Sequence, residues 1–197
     1  MRSLPRKAIS RLQLNWKRQI HNRQVRALIQ HVQKTKPTTA AGTQPVVLFN
    51  ASTRLTGISL NAGFSLLTQL GLELAGIPVV QFACRGGMSR CVLGTDRLHP
   101  AKAPPCRACI AQTRALMGRE PGAWFEAPPD ESLSRTLEGL TISELSTYEH
   151  PLSQSAGVIP LGLLALPALR WVLRRHHLSD DEPTRFLLRQ YILSAWK

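Results

Sequence analysis

The sequence predicts an α/β fold on a parallel sheet, with a basic helix ahead of it and a four-cysteine loop inserted in it. Three observations carry that expectation. Two short apolar runs, Val46-Val-Leu-Phe49 and Ile77-Pro-Val-Val-Gln-Phe-Ala83, have the length and continuity of strands buried on both faces. A helical stripe lies between them, so strand, turn, helix and strand follow within about 38 residues; such a βαβ unit is parallel with a right-handed crossover. All four cysteines come next, between Cys84 and Cys109.

The chain has 197 residues, long enough for one domain with an extension. Hydrophobic residues make up 43% and charged residues 19%, which excludes a disordered polycation, a collagen and a coiled coil. No apolar run reaches the length of a membrane span. Met1-Arg-Ser-Leu-Pro-Arg-Lys7 lacks the apolar stretch of a signal peptide. The expected location is therefore the cytoplasm, with reduced thiols.

Charge is distributed unevenly. Eleven Lys and Arg lie between Arg2 and Arg54, and no acid precedes Glu73. Residues 120–150 reverse this, with seven acids and one base, Arg135. The asymmetry implies an anionic partner for the N-terminal end.

Residues 1–36 read as that basic helix. Ile9, Leu12, Trp16 and Ile20 recur at spacings of three and four, and Val25, Leu28, Ile29 and Val32 continue after a small phase slip. Three uses fit a basic amphipathic helix: packing on its own domain, an anionic membrane surface, or nucleic acid. Residues 37–45, with Pro37, Gly42 and Pro45, read as a linker. The remaining 46–197 read as the α/β domain.

In that domain Asn50-Ala-Ser-Thr-Arg-Leu-Thr-Gly57 is a polar turn. A helix follows, with Ser59 as a possible N-cap and Leu60, Phe64, Leu67, Leu70 and Leu74 on its packing stripe. Open parallel sheets bind ligands beyond the carboxyl ends of their strands, where helix N-termini point N–H groups outward. Asn50, Ser52, Thr53, Arg54, Gly57 and Ser59 occupy that edge. They are candidates for acceptor or phosphate contact, or simply a capped turn.

The cysteines are spaced Cys84-x6-Cys91-x14-Cys106-x2-Cys109. Thiolates two residues apart reach one ion, and a second pair from a preceding loop completes a tetrahedral site. No ligand position is left open, so the expected metal is structural: Zn2+, with an iron–sulfur cluster as the alternative. Four buried thiols or a redox pair also fit the spacing. His99 is a spare ligand candidate. Helix is expected from Ile110 to Met117, loop over 119–135, and a helix or two short turns from Leu133 to Leu145. Another helix runs from about Leu161 to Arg174-Arg-His-His177, and Ser179-Asp-Asp-Glu182 reads as a capping box opening a last helix. That helix stops in mid-pattern at Lys197, so the domain reads as truncated at its C-terminus. Glu144 and Glu149 have no spacing that marks them as catalytic.

Four stretches together resemble the N-terminal half of bacterial capsule or surface-polysaccharide glycosyltransferases. They are Val46-Val-Leu-Phe-Asn-Ala-Ser-Thr-Arg-Leu-Thr-Gly-Ile-Ser-Leu-Asn61, Cys84-Arg-Gly-Gly-Met-Ser-Arg-Cys-Val-Leu-Gly-Thr95, Pro104-Pro-Cys-Arg-Ala-Cys-Ile110 and the Leu169–Glu182 segment. The resemblance implies a Rossmann-like acceptor domain of the GT-B type, facing a second domain that holds the nucleotide sugar. It implies a lipid-linked or glycan acceptor, met by a peripheral protein at the inner membrane face, with the cysteine loop as a brace near the cleft. Such a reaction needs a base for the acceptor hydroxyl. His150, His176 and His177 are the available imidazoles, and none stands in a motif. The alternative from another class is a metal-stabilised basic nucleic-acid-binding protein. Its weakness is an aromatic content of only 6%.

Overall fold

The computed structural model describes residues 6–40, 42–50, 60–117, 122–152 and 157–197. It is a mixed α/β protein that divides into two compact units. The N-terminal unit comprises Met1–Ala83 and Arg107–Trp124, and the C-terminal unit Cys84–Cys106 and Phe125–Lys197.

The N-terminal unit contains α1 (Arg6–Thr35), β1 (Val46–Asn50), α2 (Leu60–Leu74) and β2 (Val79–Cys84, whose last residue belongs to the other unit). β1 and β2 are parallel, in register from Val46 opposite Val79 to Asn50 opposite Ala83. With β3 (Ala123–Phe125) they form a three-stranded sheet of order β1-β2-β3. β3 falls where the sequence suggested loop; three residues are too few for a period to register.

α1 runs unbroken for 30 residues. At about 100° per residue, positions 9, 12, 16 and 20 share one side of it, and positions 25, 28, 29 and 32 the opposite side. The phase slip is therefore close to half a turn rather than small. Val32, on the second side, and the flank beside that side make the contacts. Val32 is buried, Gln33 donates to Glu73 Oε2 at 2.6 Å, and Arg26 Nε donates to the Ala115 carbonyl at 2.9 Å. Trp16, on the first side, remains 65% exposed.

α2 also differs from expectation. Its apolar stripe faces outward: Leu60, Phe64, Leu67 and Leu74 are exposed, and only Leu70 of the expected five is buried. The packed face carries Ala62, Leu70 and Glu73. A chain of side-chain amides supports it, with Gln69 donating to Glu73 Oε1 and Gln81, on β2, donating to Gln69 Oε1, both at 2.9 Å. The carboxylate thus replaces its lost water with amide hydrogens.

The C-terminal unit holds the larger core. It contains a 3-10 turn (Val92–Gly94), α4 (Glu131–Thr136), α5 (Ile142–Ser146), the antiparallel pair β4 (His150–Pro151) and β5 (Val158–Ile159), α6 (Leu161–Leu173) and α7 (Glu182–Ala195). Leu133, Leu137, Leu145, Leu161, Leu169, Leu187, Leu188 and Ile192 are fully enclosed between these helices. Glycine at 162 lets α6 approach α5: a Cβ there would lie 2.2 Å from the Leu145 carbonyl oxygen.

Carboxylates cap three of these helices. Asp130 accepts from the Leu133 N–H at the start of α4, and Thr141 with Glu144 forms a capping box on α5. Asp181, rather than Ser179, opens α7, accepting from the Thr184 N–H at 2.8 Å. A carboxylate binds a helix N-terminus more strongly than a hydroxyl does, which favours the later start.

The caps predict acid sensitivity. The Asp130 carboxyl is held below its ordinary value chiefly by the Leu133 N–H, Glu144 by the Thr141 N–H, and Asp181 by Thr184. Lowered carboxyls contribute stability in full above their unfolded values of 3.8 and 4.5, and lose it as pH falls through the lower folded values. The melting temperature should hold level from pH 7 to about pH 5 and fall below about pH 4. A melt unchanged down to pH 3 would show that the caps are not coupled to folding.

Candidate functional site

β1 ends at Asn50 and α2 begins at Leu60. The register of β1 on β2 brings both carboxyl ends to one edge, as the sequence led us to expect for this part of the chain. Ser52, Thr53, Arg54, Gly57 and Ser59 lie outside the described residues, as does the side chain of Asn50.

The charge of the chain maps onto the division into units. The N-terminal unit holds 14 Lys and Arg against two Asp and Glu, and the C-terminal unit 11 against 10. One of those two acids is the buried Glu73. On its surface the N-terminal unit also carries Val47, Phe49, Leu60, Phe64 and Leu67, each more than half exposed. Cationic and apolar surface therefore occur in the same unit.

None of the four cysteines is in a disulfide, and all are half-buried. Cys84 closes β2, and Cys91 is the residue before the 3-10 turn. Cys106 and Cys109 lie one turn apart at the start of α3 (Cys106–Met117), which begins four residues before the expected Ile110. Pro104 and Pro105 precede it, and the residue ahead of a helix favours such extended geometry. Among the described residues no three His, Cys, Asp or Glu side chains converge as a metal ion requires.

Other groups brace the cysteine loop. Arg90 is buried, donates from Nη1 to the Lys102 carbonyl at 2.7 Å, and lies 5.0 Å over the Phe186 ring. Its backbone N–H donates to Ser194 Oγ at 3.0 Å. Tyr191 donates its hydroxyl to Thr95 Oγ1 at 3.0 Å, and Thr95 donates to the Cys91 carbonyl at 2.9 Å. Burial pushes the Tyr191 phenol up, with Thr95 acting against it. Nothing local in the chain announces this role for Arg90. A lone Arg between Ser and Cys looks like any surface cation, and its partners are about a hundred residues away in α7.

The imidazoles have separate surroundings. His150 Nδ1 lies 3.2 Å from the Tyr148 hydroxyl, and its ring meets Trp196 edge-on at 4.2 Å. Trp196 Nε1 donates to Asp130 Oδ2 at 2.9 Å. This cluster ties the end of α7 to the α4 cap. His176 and His177 contact each other at 5.1 Å after α6, and His99 sits 3.6 Å from Asp96. Glu144 is engaged in the capping box of α5.

No family model matches the chain, and neither does any curated protein or solved structure. No described helix is long and apolar enough to cross a membrane.

Proposed function

We propose that the chain is the acceptor-side part of a glycosyltransferase of surface-polysaccharide synthesis, working against an anionic membrane face. One observation supports this most: the unit built on the parallel β1–α2–β2 crossover carries nearly all the net charge together with its exposed apolar side chains. A polyprenyl-phosphate acceptor presents the complementary pair, an anionic head and an apolar tail, at a surface of anionic lipid. On this reading the GT-B arrangement places the nucleotide sugar on a second lobe. The turn from Asn50 to Ser59 would then be cleft wall. The four cysteines enter the same proposal as a structural zinc or iron–sulfur site that closes only when the ion is bound, since Cys106 and Cys109 already share one helical turn.

Flotation of the purified chain with vesicles tests the reading. Binding should be stronger to anionic than to neutral vesicles, should rise further when polyprenyl phosphate is added at constant surface charge, and should drop when Lys17 and Arg23 are changed to Ser. Equal flotation with and without polyprenyl phosphate would remove the acceptor. Tighter binding to mixed-sequence DNA than to anionic vesicles would favour a nucleic-acid partner instead. Zinc and iron assays on the same protein decide the metal: one ion or cluster per chain supports it, and neither element overturns it.

A further inference from the structure

We propose that Arg97, Arg174 and Arg175 form a binding site for a small phosphate ester in the C-terminal unit. The three line one cavity of about 560 Å³, with Leu98, Leu173 and Leu187 among its apolar walls. They come from two separate segments: Arg97 follows the 3-10 turn, while Arg174 and Arg175 follow α6. The start of α7 lines the cavity through Asp181, Pro183 and Thr184.

The acids of this region are already engaged. Asp96 pairs with Lys102 at 3.3 Å, Asp180 with Arg185 at 2.8 Å, and Glu182 with Arg189. Asp181, the one acid lining the cavity, accepts from the Thr184 N–H. Arg97 and Arg175 make no side-chain hydrogen bond or ion pair among the described residues, although Arg175 acts on Asp181 through space. The Arg174 guanidinium lies 4.8 Å over the Trp171 ring, which fixes its plane without neutralising it. Arg174 also has φ 56°, a left-handed conformation at a helix C-cap that glycine normally fills. Cations at the end of α6 suit its dipole. Arg97 has no such reason to be there.

Three arginines lining one cavity with one carboxylate among them leave a positive excess for an anion to meet. Guanidinium forks match phosphate oxygens two at a time. The volume exceeds a bare phosphate, and the leucine walls suit the organic part of an ester. Two sources supply that chemistry, a nucleoside diphosphate or an isoprenoid phosphate.

Calorimetric titration of the full chain at physiological salt tests the site, with inorganic pyrophosphate, uridine diphosphate and farnesyl phosphate as probes. Saturable one-site binding is expected for at least one organic phosphate. Arg97→Gln and Arg175→Gln should each weaken it about tenfold. Arg23→Gln, which removes the same charge from α1, should leave it within about twofold. The stronger of the two organic probes identifies the source. Equal weakening by all three substitutions would mean diffuse attraction to a basic protein and would overturn the site; so would the absence of saturable binding, or binding of pyrophosphate as tight as that of either organic phosphate, which would mark an adventitious ion only. Melting curves of the variants should match the parent, because the Arg97 and Arg175 side chains make no bonds in the fold. The vesicle test addresses the other unit and stands or falls separately.

Discussion

Replacing Gly162 with Ala should lower the melting temperature of the C-terminal unit by roughly 15 °C, equivalent to about 3 kcal/mol for a domain of about 100 residues. The added methyl would meet the Leu145 carbonyl oxygen at 2.2 Å and the Ser146 carbonyl group at 2.7 Å. Those atoms are backbone and cannot rotate aside. α5 is itself fixed by its capping box, and the Gly162 N–H donates to the Tyr148 carbonyl at 2.9 Å, so α6 cannot slide away without losing that bond. The α5–α6 contact must open instead, and the leucines on either side lose their neighbours. A thermal melt followed by circular dichroism reads the effect. A shift of only two or three degrees would show that the helices are not this close.

The second large effect contrasts two leucines. Leu188→Ala should cost about 2–5 kcal/mol, because the side chain is 0% exposed and its removal leaves a cavity in the main core. Leu67→Ala, on a side chain that is 59% exposed, should stay within about 0.5 kcal/mol. Denaturant titration of both variants compares them directly. A cost at Leu67 as large as that at Leu188 would mean that the outer face of α2 is covered in solution.

Those two residues also mark what the sequence could reveal. The C-terminal helices were legible: α6 starts at Leu161 as its periodicity indicated, and the Leu133–Leu145 stretch resolves into two short helices, α4 and α5. There, apolar stripe and buried face coincide. In α2 they do not. Periodicity located the helix and its stripe, but the face chosen for packing is the one whose Gln69 and Glu73 find amide partners on α1 and β2. Those partners are far apart in sequence, so no local pattern announces them. α1 repeats the point, since its two apolar runs lie on opposite sides, and Val32 of the later one is buried while Trp16 of the earlier one is exposed. For the candidate sites, the sequence located the carboxyl edge of the βαβ unit and the paired thiols of α3. It missed the arginine cavity, which forms only when the segment after the 3-10 turn meets the ends of α6 and α7.

The unequal division of charge has a thermodynamic corollary. Among the described residues the N-terminal unit encloses only Val32, Ala62, Leu70 and Ala83 as buried apolar side chains, while most of the cationic excess of the chain repels itself there. Weak cohesion and mutual repulsion make that half the first to loosen as ionic strength drops. Any polyanion that settles on it acts as missing cement: by mass action, occupancy and order there rise together.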